Sequence, residues 1–296
     1  MLTKLNILIM GGDARNLEII TRLSSEGAKV FLVGFDQLSF SEPTIVQTRL
    51  DEMDLHSIDA IILPVAGTDL SGEVEATYSE KPVILSEKLV AQTKEHCIIY
   101  TGTSNTFLDN LAHSNNRKLV KLFARDDIAV YNSIPTAEGA LKLAIEQTDV
   151  TVHGADVMVL GFGRVGKTVA RLFDAVGATV TVGARKAADI ARITEMGLEA
   201  MQLSDLEKNI SSIDICINTI PYPIVDSKVI TEMRQTTLII DLASSPGGTD
   251  FGFAEKRGVK ALHALGLPGK TAPKTAGRII GEVIVELMVE NRKFIN

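Results

Sequence analysis

Short apolar runs alternate with segments of helical periodicity along almost the whole chain of 296 residues. Each run has the length of a buried strand, and the segments between the runs place apolar residues three and four positions apart. This alternation predicts an α/β fold, in which helices cover both faces of parallel sheets. The predicted strands of the first half are 5–10, 28–34, 58–64, 82–85, 96–101 and, with a weaker pattern, 118–123.

A second series of strands begins near residue 155. Its predicted strands are 156–160, 178–182, 213–218, 237–242 and 259–263. We therefore predict two domains, over residues 1–133 and 134–273, followed by a C-terminal helix over 274–296. That helix packs either on the second domain or back on the first. The two halves resemble each other in fold type only, because no sequence repeat is evident.

Two helices are predicted in or just after the first series of strands. One is predicted over residues 15–26 and ends at Gly27, the residue type that most often terminates a helix. The other is predicted over 134–150, where Pro135 suits an early helical position and Thr136 suits a cap. We interpret this second helix as the connection between the domains.

The composition is that of a soluble globular protein, with 45% hydrophobic and 23% charged residues. A net charge of −7 argues against a nucleic-acid partner, which would need a clustered cationic surface. Cys97 and Cys216 lie in apolar runs and are predicted to be buried, reduced thiols without metal-ligand spacing. No apolar segment approaches the roughly 20 residues of a membrane span. We expect a cytoplasmic protein with no metal site.

The strongest motif is Gly161-Phe162-Gly163-Arg164-Val165-Gly166, which follows a predicted strand and opens an amphipathic helix. This context is typical of a dinucleotide-binding turn. Gly161 permits the tight turn, Gly163 lets a pyrophosphate approach the backbone, and Gly166 lets the helix pack near the strand. Arg164 and Val165 complete the predicted phosphate contact. The alternative is a glycine-rich turn with a purely structural role.

The end of the next predicted strand indicates which nicotinamide cofactor binds. NAD enzymes usually place a carboxylate there, whereas this chain has Arg185 and Lys186. A guanidinium suits the 2′-phosphate of NADP, so NADP is predicted and NAD is the less favoured cofactor. The alternative is a solvated basic loop.

Two further loops are predicted to reach the cofactor, because ligands of α/β sheets bind beyond the carboxyl ends of the strands. The nearby Asp241 either belongs to this site or holds a backbone turn. The predicted contacts in these loops are Thr219, Ile220, Pro221, Ala243 and Ser244.

The first half supplies candidate residues for an acidic substrate. The Gly12-Asp13 turn precedes a helix, and Arg15 adds a positive charge that could pair with a carboxylate. This turn lacks the G-x-G-x-x-G spacing, so a second nucleotide is not expected there. The alternative is a tight turn in which Asp13 caps the helix.

Other small polar clusters stand at predicted helix starts. From them we predict Thr136 and Thr275 as substrate contacts, and Lys274 and Ser133 as catalytic candidates. Simple helix capping is the alternative for each. His153 and His263 are predicted to be surface or packing residues, and no Ser-His-Asp, zinc-protease or Walker motif is present.

Several long segments together resemble a known family. The segments ILIMGGDAR, RKLVKLFARDDIAVYNSIPTAEG, VLGFGRVG, ARITEMGL, DICINTIP, DLASSPGGTDF and GLPGKTAPKTAG are similar to the A subunits of dipicolinate synthases from spore-forming bacteria. The wider layout resembles D-2-hydroxyacid and alanine dehydrogenases. The resemblance implies a flavodoxin-like first domain, a Rossmann second domain and a cleft between them.

The resemblance also implies an activity. Family members form dipicolinate, with a flavoprotein-like B subunit, in the mother-cell cytoplasm during sporulation. The implied substrate is the dicarboxylate dihydrodipicolinate or its hydrated 4-hydroxy precursor. Association of the chain with further copies of itself, as a homo-oligomer, is an additional partner hypothesis. DLASSPGG lacks the Arg, and GLPGKTAPKTAG the His, that hydroxyacid dehydrogenases use. Two alternatives stay open: the chain is a non-catalytic NADP-binding scaffold for its flavoprotein-like partner, or it is a dehydrogenase of another small acid.

Overall fold

The apolar runs of the first half form a six-stranded parallel sheet in the computed structural model, which describes residues 2–292. Helices pack against both faces of this sheet. In chain order the elements are β1 (Asn6–Met10), α1 (Ala14–Ser25), β2 (Lys29–Val33), β3 (Ile45–Gln47), β4 (Ala60–Ile62), β5 (Glu73–Val74), β6 (Val83–Ile84), α2 (Glu87–Gln92), β7 (Ile98–Thr101), α3 (Thr106–Ser114) and β8 (Lys118–Lys121).

The sheet order is β3-β2-β1-β4-β7-β8. Without the short edge strand β3, the remaining five strands have the order 2-1-3-4-5 of a flavodoxin-like sheet, which the family resemblance implied. Three details of the strand prediction were wrong. β3 and β5 were not predicted, and the segment 82–85 does not join this sheet, because β6 pairs with β5 in a separate antiparallel hairpin.

The second half forms another six-stranded parallel sheet, with the Rossmann order β11-β10-β9-β12-β13-β14. The sequence predicted five of these strands and missed the edge strand β11. The elements are α4 (Asp126–Gln147), β9 (Asp156–Leu160), α5 (Arg164–Ala175), β10 (Thr179–Ala184), α6 (Ala187–Glu195), β11 (Glu199–Gln202), α7 (Leu206–Asn209), β12 (Ile215–Asn218), α8 (Ser227–Glu232), β13 (Leu238–Asp241), α9 (Phe251–Arg257), β14 (Lys260–His263), α10 (Leu267–Thr271) and α11 (Pro273–Arg292).

The predicted connecting helix begins earlier than expected. α4 starts at Asp126 rather than at residue 134 and ends at Gln147, so Pro135 lies in its interior. Aspartates in the first turn stabilise the earlier start, because their charge complements the positive end of the helix dipole. Thr136 is consequently not a cap, since it also lies inside the helix.

The chain divides into two compact units, which we call the first unit and the second unit. The first unit comprises the residues up to Ala129 together with those from Pro273 onward, and the second comprises Val130–Ala272. Each sheet has an apolar core on both of its faces, formed by strand and helix side chains. The predicted C-terminal helix is α11, which packs against α1 in the first unit. Residues 293–296 of that prediction lie outside the described residues.

Candidate functional site

A cavity of about 530 Å³ opens at the carboxyl ends of β9, β10, β12 and β13 in the second unit. Eleven of the twelve residues predicted to contact a cofactor line it, and the twelfth, Gly166, lies behind the turn. The lining residues from the prediction are Gly161, Gly163, Arg164, Val165, Arg185, Lys186, Thr219, Ile220, Pro221, Ala243 and Ser244.

The glycines of the turn meet different steric demands. Gly161 has a φ of +99°, which favours glycine, and a Cβ there would lie 2.5 Å from Thr219 Oγ1. A Cβ on Gly166 would overlap the carbonyl oxygen of Gly161. A Cβ on Gly163 would meet no atom within 4 Å. The first and third glycines are therefore required by the protein's own packing, whereas Gly163 leaves room for a ligand.

Two helices begin at this cavity without a side-chain cap. Within residues 2–292, no side-chain hydrogen bond caps α5 at Gly163 or α6 at Lys186. By contrast, Asp13 caps α1 and Asn105 caps α3 in the first unit. At a helix start without a side-chain cap, backbone N–H groups remain available to donate hydrogen bonds, and the helix dipole adds a partial positive charge. Both features favour an anionic ligand.

Arg185 and Lys186 add positive charge beside these helix starts. Both side chains are exposed, and neither forms an ion pair within the described residues. The sequence did not single out Asp189, a carboxylate in the first turn of α6 that also lines the cavity. Its position three residues after the Lys186 N-cap is the signal that could have revealed it.

Four apolar residues of the lining were also missed by the prediction. Leu203 follows β11, whose sequence EAMQ has no apolar run, so its approach to the cavity was not evident. The four residues are Phe162, Ala184, Leu203 and Leu242.

Asp241 is a structural residue at the end of β13. Its fully buried carboxylate accepts hydrogen bonds from Asn218 Nδ2 at 3.0 Å, the Ala243 N–H at 3.0 Å and the Gly248 N–H at 2.8 Å. The Thr249 hydroxyl donates a fourth bond, at 2.7 Å. Asp241 therefore fixes the loop that carries Ala243 and Ser244 to the cavity, in agreement with the structural alternative.

Thr219 supports the turn from the neighbouring strand. Both its N–H and its hydroxyl donate to the carbonyl oxygen of Leu160, at 3.0 and 2.8 Å. The hydroxyl proton is thus directed at the backbone next to Gly161.

In the first unit, Arg15 is neutralised by its neighbour. The Asp13 carboxylate accepts from the Arg15 N–H at 2.9 Å and from Nη2 of its guanidinium at 2.6 Å. Gly12 donates its N–H to the carbonyl oxygen of Glu75 at 2.7 Å. Asp13 is therefore the helix cap that the sequence alternative described, and Arg15 carries no unpaired charge.

The polar residues of α4 bond within the second unit. Ser133 is 1% exposed, donates to the Val130 carbonyl oxygen at 2.6 Å and lies 2.6 Å from Thr168 Oγ1. Thr136 Oγ1 donates to the carbonyl oxygen of Asn132 at 2.8 Å. The expected helix start at these residues was wrong, and neither residue lines the cavity.

Lys274 and Thr275 lie in the first turn of α11 and are exposed. Neither forms an ion pair or a side-chain hydrogen bond within residues 2–292. Lys274 is thus a cation without a partner in the described chain.

The remaining candidates have packing roles. His263 Nε2 donates to the Ala243 carbonyl oxygen at 3.1 Å, and its ring contacts the Phe251 ring. Burial raises the pKa of Cys97 to about 11 and that of Cys216 to about 12. In the described part of the chain, no cluster of potential metal ligands occurs, and no helix is long and apolar enough to cross a membrane.

Comparisons with known proteins match both units. The family model for the N-terminal domain of the dipicolinate synthase A subunit matches residues 6–123, and that of the D-isomer specific 2-hydroxyacid dehydrogenase NAD binding domain matches residues 130–246. The chain is 53% identical over 290 residues to the dipicolinate synthase A subunit from Bacillus subtilis (strain 168), covering 98% of each chain.

Solved structures agree with these matches. The dipicolinate synthase A subunit from Bacillus halodurans has a TM-score of 0.95 at 53% identity, over 97% of this chain and 98% of that one. The dipicolinate synthase A chain from Bacillus subtilis has a TM-score of 0.94 at 52% identity, over 99% and 98%. A transhydrogenase from Sinorhizobium meliloti, at 15% identity and a TM-score of 0.66 over 96% and 94%, shares the fold.

Proposed function

The chain belongs to the family of dipicolinate synthase A subunits, and on this basis we propose that it is the NADP-dependent oxidoreductase component that forms dipicolinate in a sporulating bacterium. The family and the dehydrogenase-type second unit make it an oxidoreductase of dipicolinate synthesis that binds a nicotinamide dinucleotide. The proposal adds the choice of NADP, the substrate and the chemistry. By the same resemblance it acts in the mother-cell cytoplasm together with a flavoprotein-like partner, the B subunit.

The observation that supports this proposal best is that four features that attract anions lie at the same cavity. Among residues 2–292, no side chain caps the start of α5 or α6, and Arg185 and Lys186 lie beside these starts without an ion pair. The open space at Gly163 accommodates a pyrophosphate at the α5 start. Arg185 and Lys186, at the end of β10, hold the 2′-phosphate of NADP together with the α6 start.

The proposed substrate is dihydrodipicolinate or its hydrated 4-hydroxy precursor. The hydrated form first loses water. When bound, NADP⁺ would be the two-electron oxidant. The substrate would lose a hydride from one ring carbon and a proton from a neighbouring ring atom, and its ring would become aromatic. Lys274 is retained as a partner for one substrate carboxylate because its charge is uncompensated in the described chain. Ser133 is not retained, since its hydroxyl is engaged within the second unit.

The test is an absorbance assay for reduced nicotinamide with dihydrodipicolinate, NADP⁺, this chain and the flavoprotein-like partner, separately and together. We expect NADP-linked turnover that requires this chain. Turnover by the partner without this chain would assign this chain a scaffold role. Absence of NADP-linked turnover in every combination would end the enzyme assignment.

Replacing Arg185 by Asp should weaken NADP binding and change NAD binding little. The loss of one charge-assisted contact to phosphate predicts a rise in Kd for NADP of roughly tenfold to a hundredfold. Titration calorimetry with both cofactors measures this. The control is Lys228→Asp, because Lys228 is exposed in α8 and does not line the cavity. An unchanged preference in Arg185→Asp would show that the 2′-phosphate is recognised by other residues.

A further inference from the structure

The two units share one strand plan. Both sheets order their strands as third, second, first, fourth, fifth and sixth, if the hairpin strands β5 and β6 are set aside. β2 and β10 follow their preceding strands at the same spacing and in the same register, since Asn6 pairs with Lys29 and Asp156 pairs with Thr179. Positions at the ends of these strands can therefore be compared directly between the units.

In both sheets, an aspartate carboxylate accepts a hydrogen bond from the first residue of the first strand. Asp59 accepts a hydrogen bond from the Asn6 N–H at 2.8 Å, and Asp214 accepts one from the Asp156 N–H at 2.9 Å. Each Asp ends an identical Ser-Ile-Asp sequence before the fourth strand of its sheet. The basic partners of the two carboxylates are Lys94 in the first unit and Arg234 in the second. The correspondence thus extends to individual side chains.

The first unit cannot hold a phosphate where the second unit has its glycine turn. Residues 75–77 cover the turn, because Gly12 donates to the Glu75 carbonyl oxygen and accepts from the Thr77 N–H. The position equivalent to Gly163 is Asp13, whose negative charge repels phosphate, and the position equivalent to Gly166 is the buried Asn16. The pyrophosphate part of a dinucleotide site is closed.

The neighbouring part of the first unit is open. A cavity of about 440 Å³ lies at the carboxyl end of β2, where a Rossmann unit places the nucleoside of its cofactor. Leu50, Pro82 and Val83 provide apolar lining. Leu50 lies three residues after the edge strand β3, and Leu203 lies directly after the edge strand β11 of the second unit. Each of these two leucines lines the cavity of its own unit.

The polar lining of this cavity differs from that of the second unit in the sign of its charge. Val33 pairs with Met10 in the first unit, and Gly183 pairs with Leu160 at the equivalent place in the second. Asp36 lies three residues after Val33 and Lys186 three residues after Gly183, so these two residues occupy corresponding positions. Asp36 also follows the turn by about 20 residues, the position from which an acidic residue accepts bonds from ribose hydroxyls. Such a carboxylate favours a vicinal diol and disfavours a phosphate.

We propose that the first unit has a binding site for an uncharged nucleoside at the carboxyl end of β2. The heterocyclic base lies against the apolar lining at Leu50, Pro82 and Val83, and the ribose diol donates to Asp36. The exposed Lys81, also in the lining, is available to an acceptor on the base. The site is separate from the cofactor cavity and does not depend on the proposed function of the second unit.

The test is calorimetric titration of the full chain with adenosine as the probe, in the presence of saturating NADPH. We expect one adenosine per chain, with AMP and 2′-deoxyadenosine each bound at least tenfold more weakly, because the former adds a charge and the latter lacks the diol. Absence of adenosine binding at millimolar concentration, or tighter binding of AMP, would overturn the proposal.

Matched variants locate the site. Leu50→Trp fills the first unit's cavity and Leu203→Trp the comparable place in the second, so only the former should abolish adenosine binding. Asp36→Asn, at an exposed position, should weaken adenosine at least tenfold and leave 2′-deoxyadenosine unchanged. Loss of binding in Leu203→Trp but not in Leu50→Trp would place adenosine in the cofactor cavity and refute the proposal.

Discussion

Single carboxylates with little solvent exposure hold strand ends and loops in place. Asp59 anchors the amino end of β1 through the Asn6 N–H, and Lys94 Nζ and His96 Nε2 lie 2.7 and 3.1 Å from its Oδ1. Burial alone would raise the pKa of Asp59, but the bonds from Asn6, Lys94 and His96 outweigh that cost and hold the pKa below its usual value. Because the folded pKa is lowered, the stabilising effect is present above the unfolded pKa and is lost as pH falls through the folded pKa.

Asp59→Asn should therefore destabilise the protein in a pH-dependent way. Near pH 7 we expect its free energy of unfolding to fall by about 1.5–3 kcal/mol, the range for hydrogen bonds to a charged group. The difference from wild type should shrink below about pH 4, where the wild-type carboxylate becomes protonated. Urea unfolding across this range measures both quantities, with the exposed Asp174→Asn as control. An equal difference at neutral and acid pH would contradict the assignment.

The residues of the cofactor cavity were the most predictable from sequence. A glycine fingerprint after an apolar strand constrains the backbone locally, so Gly161 and Gly163 could be placed without knowledge of the fold. Ser133 could not, because its burial depends on contact with Thr168 in another helix. Leu203 likewise reaches the cavity only through tertiary packing.

At the scale of elements, the contact between α1 and α11 requires small residues. A Cβ on Gly277 would overlap the carbonyl oxygen of Arg15, whereas the nearest atom to a Cβ on Gly281 would be Arg22 Cβ, at 3.3 Å. Ion pairs from Arg22 to Glu282 and from Arg278 to Glu18 flank this contact. The two glycines lie one helical turn apart and form a matched pair for testing how closely the helices must approach.

Gly277→Ala should destabilise the protein because the added methyl group forces the two helices apart. We expect a loss of about 1–3 kcal/mol, the usual cost of overpacking. Gly281→Ala should change stability by less than about 1 kcal/mol, since its small steric cost is offset by the higher helix propensity of alanine. Urea unfolding of both variants checks this. Equal effects would show that the backbone contact at Arg15 does not limit the packing.

Elements with buried apolar runs could be predicted to within one or two residues, as for β1 and β9. The edge strands β3 and β11 were missed, because three or four residues at the rim of a sheet need not be apolar to pair. The start of α4 was misplaced because proline favours the first turn of a helix, whereas Pro135 lies inside this one.

At the scale of the whole molecule, the shared strand plan of the two units was not predictable. Alternating strands and helices indicated the α/β class, but the strand orders and registers depend on long-range pairing that the local pattern does not encode. The hairpin of β5 and β6 also interrupts the first unit without an equivalent among the described residues of the second. The hairpin lengthens the segment between the fourth and fifth strands of the first sheet, so corresponding positions of the two units are not a constant number of residues apart.

The return of α11 to the first unit has a consequence for protein synthesis. Ile280 and Ile284 of α11 belong to the apolar core that also contains Ile7 and Ile20. The ribosome makes the first unit's strands before the second unit but α11 only after it, whereas Val130–Ala272 is contiguous. The second unit can thus fold during translation while the older, N-terminal core still exposes an apolar face. A ribosome that stalls before Pro273 leaves a nascent chain that a chaperone would have to protect.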